Sequence, residues 1–592
     1  MKKCYSGNKV KHRSMSLVIL SCGLCLAAHA VDFPSAGGNL ADPDDWGGSL
    51  PSTSDGIVIN QSGTYTATDD IEFGSLTVAA QGVTFDLDSS GNHRLRLSGG
   101  DSSFLLSAPT DSLTSFLGGI WDFGGRSQYL ANTDNVSGKD ILFDGCCWTN
   151  LTRLTVSGAA KAHSTELLMR DGAAVFTQAL RVGEKSSKNI LRITDGSSVI
   201  VDGTSTCVYM DIGDVDNGED ASQNAIYVEG TGSVLDVSAG KTMLGFKNRS
   251  GLLSVTDGAT ASFKDLTIGN SIAASNNCLF VGNGASVTVG GTLAAQGIGC
   301  SLVVSNATLT LPDAARIGGA GYSNFTFRAI GANTAFPLKF AKDQDVFCEA
   351  SQGNVIALEQ GMQCNVDVSP CLCYGATGGS KSHNVLRVES NAKFMATTTV
   401  NFGERTQASS VSNLWIVADG GVVDLPELRM SGIGNRLIVD SGSVFCTNKY
   451  EVASQYLRFG YKRSGSTGDP VDVGLVLKGS DPKVHSTSSV IFANGACLRF
   501  EIPQTGYEAG NCPLTASQVT FDAATCRIEV DCADWLSAGG GTIKLAQVST
   551  NNGLSSLEPA LANASLPSGC KLCIKNNALF LKSEKGFILS IR

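Results

Sequence analysis

One short frame recurs along this chain and leaves few folds open to it. Two apolar residues alternate with a third residue between them, a polar turn follows, and alternation resumes for one more short run. Leu191, Ile193, Gly196, Val199 and Val201 make one copy, and Leu253, Val255, Gly258, Ala261 and Phe263 another. Leu279, Val281, Gly284, Val287 and Val289 make a third. The frame returns at Leu167, Met169, Gly172 and Val175, at Leu386, Val388, Asn391 and Phe394, at Trp415, Val417, Gly420 and Val423, and at Leu437, Val439, Gly442 and Phe445. Looser copies begin at Ile226 and Leu302. Alternation of period two is the mark of a strand with one face turned inward. The Asp-Gly or Asn-Gly step, as at Asp257 and Gly258, admits the positive φ that a tight corner needs.

A second signal sits at a fixed offset. Leu180 with Val182, Leu266 with Ile268, and Leu428 with Met430 each begin 13 residues after the start of their unit. Each unit therefore predicts a strand, a glycine corner, a second strand and a third short strand closed by a small residue. Unit starts at 167, 191, 226, 253, 279 and 302, then 386, 415 and 437, lie about 22 to 35 residues apart. A hexapeptide helix is more regular, and a propeller blade needs about 40–45 residues. The expected fold is all-β: a parallel β-helix (β-solenoid) with about 22–35 residues per coil and a C-terminal β cap. No coil can bury its inner face alone, so Val255, Val281 and Val439 are expected to point into one shared column. The open strand edges at the ends require capping.

Composition agrees. At 592 residues the chain is too long for one compact core. It has 68 glycines, 14 prolines and only 17% charged residues, which is not the makeup of a disordered chain. A net charge of −10 opposes nonspecific binding to nucleic acid or anionic lipid.

The N-terminus reads as an address. Lys2, Lys3, Lys9, Lys11 and Arg13 precede an uncharged apolar run from Met15 to Ala28, and Ala28 and Ala30 are the small residues a signal peptidase reads. Cleavage after Ala30 is expected, giving an exported protein, secreted or at the cell surface. Ile19, Leu20, Ser21 and Cys22 also form an imperfect lipobox, which would leave a lipid on Cys22. No later segment has 18 consecutive apolar residues, so no helical transmembrane anchor is expected.

Of the 19 cysteines, Cys4, Cys22 and Cys25 lie in the presequence, and the remaining even number is compatible with disulfides in an oxidising compartment. Cys146 with Cys147, Cys371 with Cys373, and Cys570 with Cys573 are close in sequence. A zinc site from the last four lacks neighbouring histidines and finger-like spacing, so buried or disulfide cysteine is the preferred reading.

Four segments are expected: 1–30 as signal peptide, 31–150 as N-terminal cap and first irregular coils, 151–500 as the parallel β-helix, and 501–592 as a β-rich cap. Near the start stand Gly38, Asn39, Asp42, Pro43, Trp46, Gly48, Pro51 and Asp55, followed by Ile57 and Ile59. This series resembles the opening of exported bacterial proteins with autotransporter-associated β-strand repeats, although Leu40 stands where their first tryptophan is usual. The coils from Leu167 to about residue 450 are similar to that family's coils. The resemblance implies a passenger-like β-helix at the surface or secreted, often without biochemical activity. An autotransporter would end in a β-barrel of many alternating strands. Residues 500–592 show no such series, so self-translocation is not expected. Asn576 and Asn577 read as a hairpin turn between the last strands.

Chemistry is hard to assemble from these residues. Parallel β-helices host polysaccharide lyases and glycosidases. Asn132, Thr133 and Asp134 resemble one fragment of a polygalacturonase site, but the remaining elements of that pattern are missing, and an ordinary turn is the simpler reading. Six histidines exist in all, and no nucleophile elbow is evident. Asp211, Asp214, Asp216 and Glu219 form the densest acidic cluster. Their oxygen ligands suit calcium, while the spacing departs from an EF-hand, so the segment reads as a calcium site or as a solvated insertion loop. Trp46, Trp148, Trp415 and Trp535 are candidates to stack on sugar rings; Trp415 occupies an inward position and Trp148 fits either role. No catalytic residue or cofactor is assigned. The first expectation is a noncatalytic structural or adhesive β-helix contacting polysaccharide or cell-surface components. The alternatives are a carbohydrate-active lyase or hydrolase, or a lipid-anchored glycan-binding protein.

Overall fold

The computed structural model describes residues 30–584 apart from segments 89–91, 101–102, 108–110, 132–136, 159–161, 211–221, 246–248, 271–272, 313–315, 318–322, 336–351, 369–370, 373–380, 404–409, 448–454 and 463–467. The chain is a parallel β-helix, as the repeat predicts. The first strand of each unit joins one ladder of nineteen strands, called here the first face. Its rungs are in register: Leu253 lies beside Ile226 and Leu279, and Trp415 beside Leu386 and Leu437. At strand spacing this ladder extends roughly 85 Å. It crosses residues 150 and 500 unbroken, through Asp140–Asp144 to Glu166–Arg170 and through Cys497–Glu501 to Arg527–Asp531.

The inward side chains form one apolar column. Val255, Val281 and Val439 are all fully buried within it. Several of the corners after first-face strands take two successive left-handed residues. Asp257 and Gly258 have φ of 58° and 80°, and Asn283 with Gly284 and Asp419 with Gly420 repeat the geometry. Asx residues and glycine tolerate that region, which is why an Asp-Gly or Asn-Gly step marks these corners. The second and third strands then build two flank stacks. The separation between them is weaker than the sequence suggests. Thr260–Ile268 is one continuous strand covering both predicted elements, whereas Ala174–Thr177 and Leu180–Val182 are distinct.

A polar column runs inside the corner that precedes the first face. Asn189, Asn224, Asn277, Asn354, Asn384, Asn413 and Asn435 are all fully buried there. Each stands two residues before its unit's first inward side chain. Their Oδ1 atoms accept backbone N–H groups from the coil before. Asn189 N donates to Asn224 at 2.8 Å, Asn354 N to Asn384 at 3.0 Å, Asn384 N to Asn413 at 3.0 Å, and Asn413 N to Asn435 at 2.8 Å. Satisfying a buried N–H in this way avoids a penalty of about 1–3 kcal/mol. Towards the N-terminus the same column continues through Thr165 and Lys139. Lys139 is buried, and its amine donates to the Leu106 carbonyl.

The first coils are packed with rings instead. Phe116 meets Trp121 and Trp148 edge to face at 4.9 and 5.3 Å, and Phe143 stacks on Trp148 at 4.2 Å. At the other end Thr542–Val548 accepts an antiparallel partner, Ala578–Ser583, which pairs in turn with Cys570–Lys575. Asn576 and Asn577, at φ 50° and 54°, form the predicted hairpin turn. Ser565 bridges Glu529, so the last first-face strand also gains a partner.

Candidate binding surface

Where the second strand of a coil ends, the chain bulges before the third strand begins. In Ile120–Tyr129 and Cys147–Thr155 the register shifts at this point, between Asp122 and Arg126 and between Trp148 and Leu151. Gly124, Gly125 and Asn150 carry the bulges at φ 58°, 77° and 55°. Bulges re-aim side chains and open the surface. Here two contiguous hollows of about 490 and 200 Å³ result, sharing Thr152, Gln178 and Asp202. The floor is fixed by hydrogen bonds between coils. Thr152 Oγ1 donates to the Gly125 carbonyl at 2.6 Å, Gln178 N to the Leu151 carbonyl at 2.9 Å, and Asp202 N to the Thr177 carbonyl at 3.0 Å.

The trough presents the exposed ring of Phe176, at 44% exposure, beside the side chains of Asn150, Thr152, Gln178 and Asp202. An apolar ring next to amides, a hydroxyl and a carboxylate suits a polyhydroxylated ligand, whose C–H face stacks while its hydroxyls hydrogen-bond. The carboxylate count is low. Asp122, close by, is buried and committed: it pairs with Arg94 and accepts from Asn150 Nδ2 at 2.8 Å. Asp202 is the one carboxylate among the described lining residues. Glycoside hydrolysis by the usual route needs two, about 5–10 Å apart.

Elsewhere the charges on the first face neutralise each other from coil to coil. Arg192 contacts Glu166 at 3.2 Å and Glu229 at 2.8 Å, and Arg328 makes two bonds to Glu359. Burial pushes the Asp472 carboxyl up, but Arg436 and Arg527 outweigh it and hold it below the usual range. A hollow of about 350 Å³ near the C-terminal end is lined by Asp440, Lys478, Glu501, Asp531 and Asp534. Its carboxylates are mostly engaged: Lys478 lies 3.0 Å from Asp440, and Arg499 lies 2.8 Å from Glu501 and 3.8 Å from Asp531. Among the described residues no group of three or more His, Cys, Asp or Glu side chains is arranged to hold a metal ion.

The residues singled out from sequence fare unevenly. Asp211, Asp214, Asp216 and Glu219, and also Asn132, Thr133 and Asp134, lie outside the described residues. Trp46 and Trp535 are corrected as sugar-stacking candidates, since both are buried; Trp415 is buried as its inward position predicts, and Trp148, which fitted either role, is buried too. Trp148 stands beside Trp121 and Val175 in register, and so belongs to the column rather than the surface. Trp46 ends a short 3-10 turn, Pro43–Trp46, and its indole N–H donates to the Leu40 carbonyl at 3.0 Å. Phe176, the ring that is exposed, carries no sequence signal beyond its outward position in a strand. The twelve cysteines whose side chains are described are free thiols, and Cys532 meets Cys570, Sγ to Sγ 3.5 Å. Among the described residues no helix is long and apolar enough to cross a membrane. No protein-family model, no curated protein and no solved structure matches this chain.

Proposed function

We propose that this chain is an exported, noncatalytic β-helix that serves at the cell surface or in the extracellular space as a structural or adhesive rod, contacting polysaccharide through the Phe176 trough. The observation that carries this reading is the makeup of the trough: an exposed ring beside neutral hydrogen-bonding side chains from three successive coils, with one carboxylate among its described residues. Such a surface can hold a sugar chain without a second acid to cleave it. Signal-peptide processing after Ala30 places the protein where such ligands occur, and its acidic surface suits that setting.

The test is binding of the purified protein to a panel of bacterial, plant and host polysaccharides by calorimetry, with products assayed in parallel. Phe176→Ala is expected to weaken binding by at least about tenfold, or ~1.4 kcal/mol, with circular dichroism unchanged. Binding that survives Phe176→Ala would remove the trough from the account. Release of new reducing ends or unsaturated products, lost in Asp202→Asn, would establish a carbohydrate-active enzyme instead.

A further inference from the structure

The structure assigns Cys532 and Cys570 as a redox-formed staple that fastens the C-terminal hairpin to the end of the first face. Cys532 follows the last long first-face strand, Arg527–Asp531, and is fully buried. Cys570 opens the final hairpin at the strand Cys570–Lys575 and is half-buried. Their sulfurs are in contact at 3.5 Å, so rotation of the side chains brings them within bonding range. The alternative partner nearest in sequence is excluded by strand geometry. Cys573 lies three residues after Cys570 on one strand, so the two side chains leave opposite faces. Cys146, Cys300, Cys364 and Cys446, by contrast, are buried in the coils they belong to.

Exposure sets the order of events. The oxidant is a small or protein-borne disulfide. The more accessible Cys570, as thiolate, attacks it, forming a mixed disulfide and releasing one thiolate. Cys532 then loses its proton and attacks Cys570 Sγ, expelling the second thiolate. One S–S bond is broken and one is made; two protein thiols are oxidised, and the oxidant leaves as two thiols. Burial raises the Cys532 thiol above its ordinary range, so the second step is the slower one. The closed loop contains the strand Thr542–Val548 and the turn that bridges Glu529, the two places where the cap covers open edges. The staple therefore holds shut the end at which a parallel sheet is otherwise open to pairing with another chain.

The full-length protein is equilibrated in buffers of increasing oxidised-to-reduced glutathione ratio, acid-quenched, alkylated in denaturant, and digested without reductant. The expected result is a linked peptide pair containing Cys532 and Cys570, with Cys146, Cys364 and Cys446 alkylated. Alkylation of both Cys532 and Cys570 in the most oxidising buffer overturns the assignment, as does a bond from Cys570 to Cys573. Limited proteolysis supplies the second reading. Reduction is expected to speed cleavage between residues 549 and 569 at least about tenfold in the native chain. Cys570→Ser is expected to be cut at the fast rate in both buffers. Equal rates for the oxidised and reduced native chain overturn the proposed role of the bond.

Discussion

The coils around Trp148 and those between Asn354 and Asn435 hang on one and the same ladder but fill their interiors by different means. The first group packs rings on rings: Phe85, Phe116, Trp121, Phe143 and Trp148 form one connected cluster. The indole N–H groups of Trp121 and Trp148 find no acceptor among the described residues, a cost the ring packing outweighs. The second group relies mainly on aliphatic side chains and adds a polar column in which each asparagine oxygen receives an N–H from the coil before. One backbone geometry thus accepts two interior chemistries. A coil needs only to match the two it touches, so composition can drift along the array while the register holds.

That comparison can be broken, beginning with the largest expected effect. Trp148→Ala removes the ring on which Phe143, Phe116 and Phe123 converge, and should cost about 3–5 kcal/mol locally. Hydrogen exchange should accelerate between residues 120 and 182 while Leu414–Ala418 stays protected. Acceleration at Leu414–Ala418 would show that coils are not coupled mainly to their neighbours.

Asn413→Ala strips the acceptor from the Asn384 N–H and the amide that donates to Ser410 Oγ at 3.1 Å. A loss of about 2–3 kcal/mol, confined to coils 354–440, is expected by the same exchange measurement. A loss below ~0.5 kcal/mol would make the column incidental.

Lys139 occupies that column in the ring-packed region and sharpens the contrast. Burial pushes its amine down to about 8 from 10.5. Below pH 8 the amine is charged both folded and unfolded, and the folded chain bears the full cost of a buried cation. Between about 8 and 10.5 the folded chain sheds the proton first while the unfolded chain keeps it, so stability should climb by ~1–3 kcal/mol, then level off. Lys139→Met should stabilise these coils at pH 7 and abolish the climb in denaturant titrations run across that window. A climb that persists in the variant would assign it to another group.

Phe176→Ala marks the smallest effect on folding. Its ring lies outside both interiors, so stability should move by less than ~0.5 kcal/mol even as ligand binding falls. A larger drop in denaturant midpoint would mean that the ring supports the fold.

The inward frame was legible because an apolar residue at every second position has one physical meaning on a pleated strand. The corner steps were legible for a similar reason, since Asp257-Gly258 and Asn283-Gly284 reach φ values that most residues avoid. The asparagine column left a signal too, a fixed offset of two residues before each inward start. Units defined by their apolar positions pass over it, because a polar residue beside a turn ordinarily faces water. The trough left none: Asn150, Phe176, Gln178 and Asp202 belong to three coils and become neighbours only when those coils stack. Trp148 shows the converse, since its sequence left core and surface both open and only its register with Trp121 and Val175 placed it inside.

Local sequence alone determined which side chains face inward, where the chain turns, and that the unit is a coil, because alternation and left-handed φ are properties of a few consecutive residues. Tertiary structure alone decided which coil lies on which, where the trough opens, and that Cys570 turns to Cys532 rather than to Cys573. Insertions of unequal length separate the coils in sequence, and only the closing of backbone hydrogen bonds between them fixes what becomes adjacent in space.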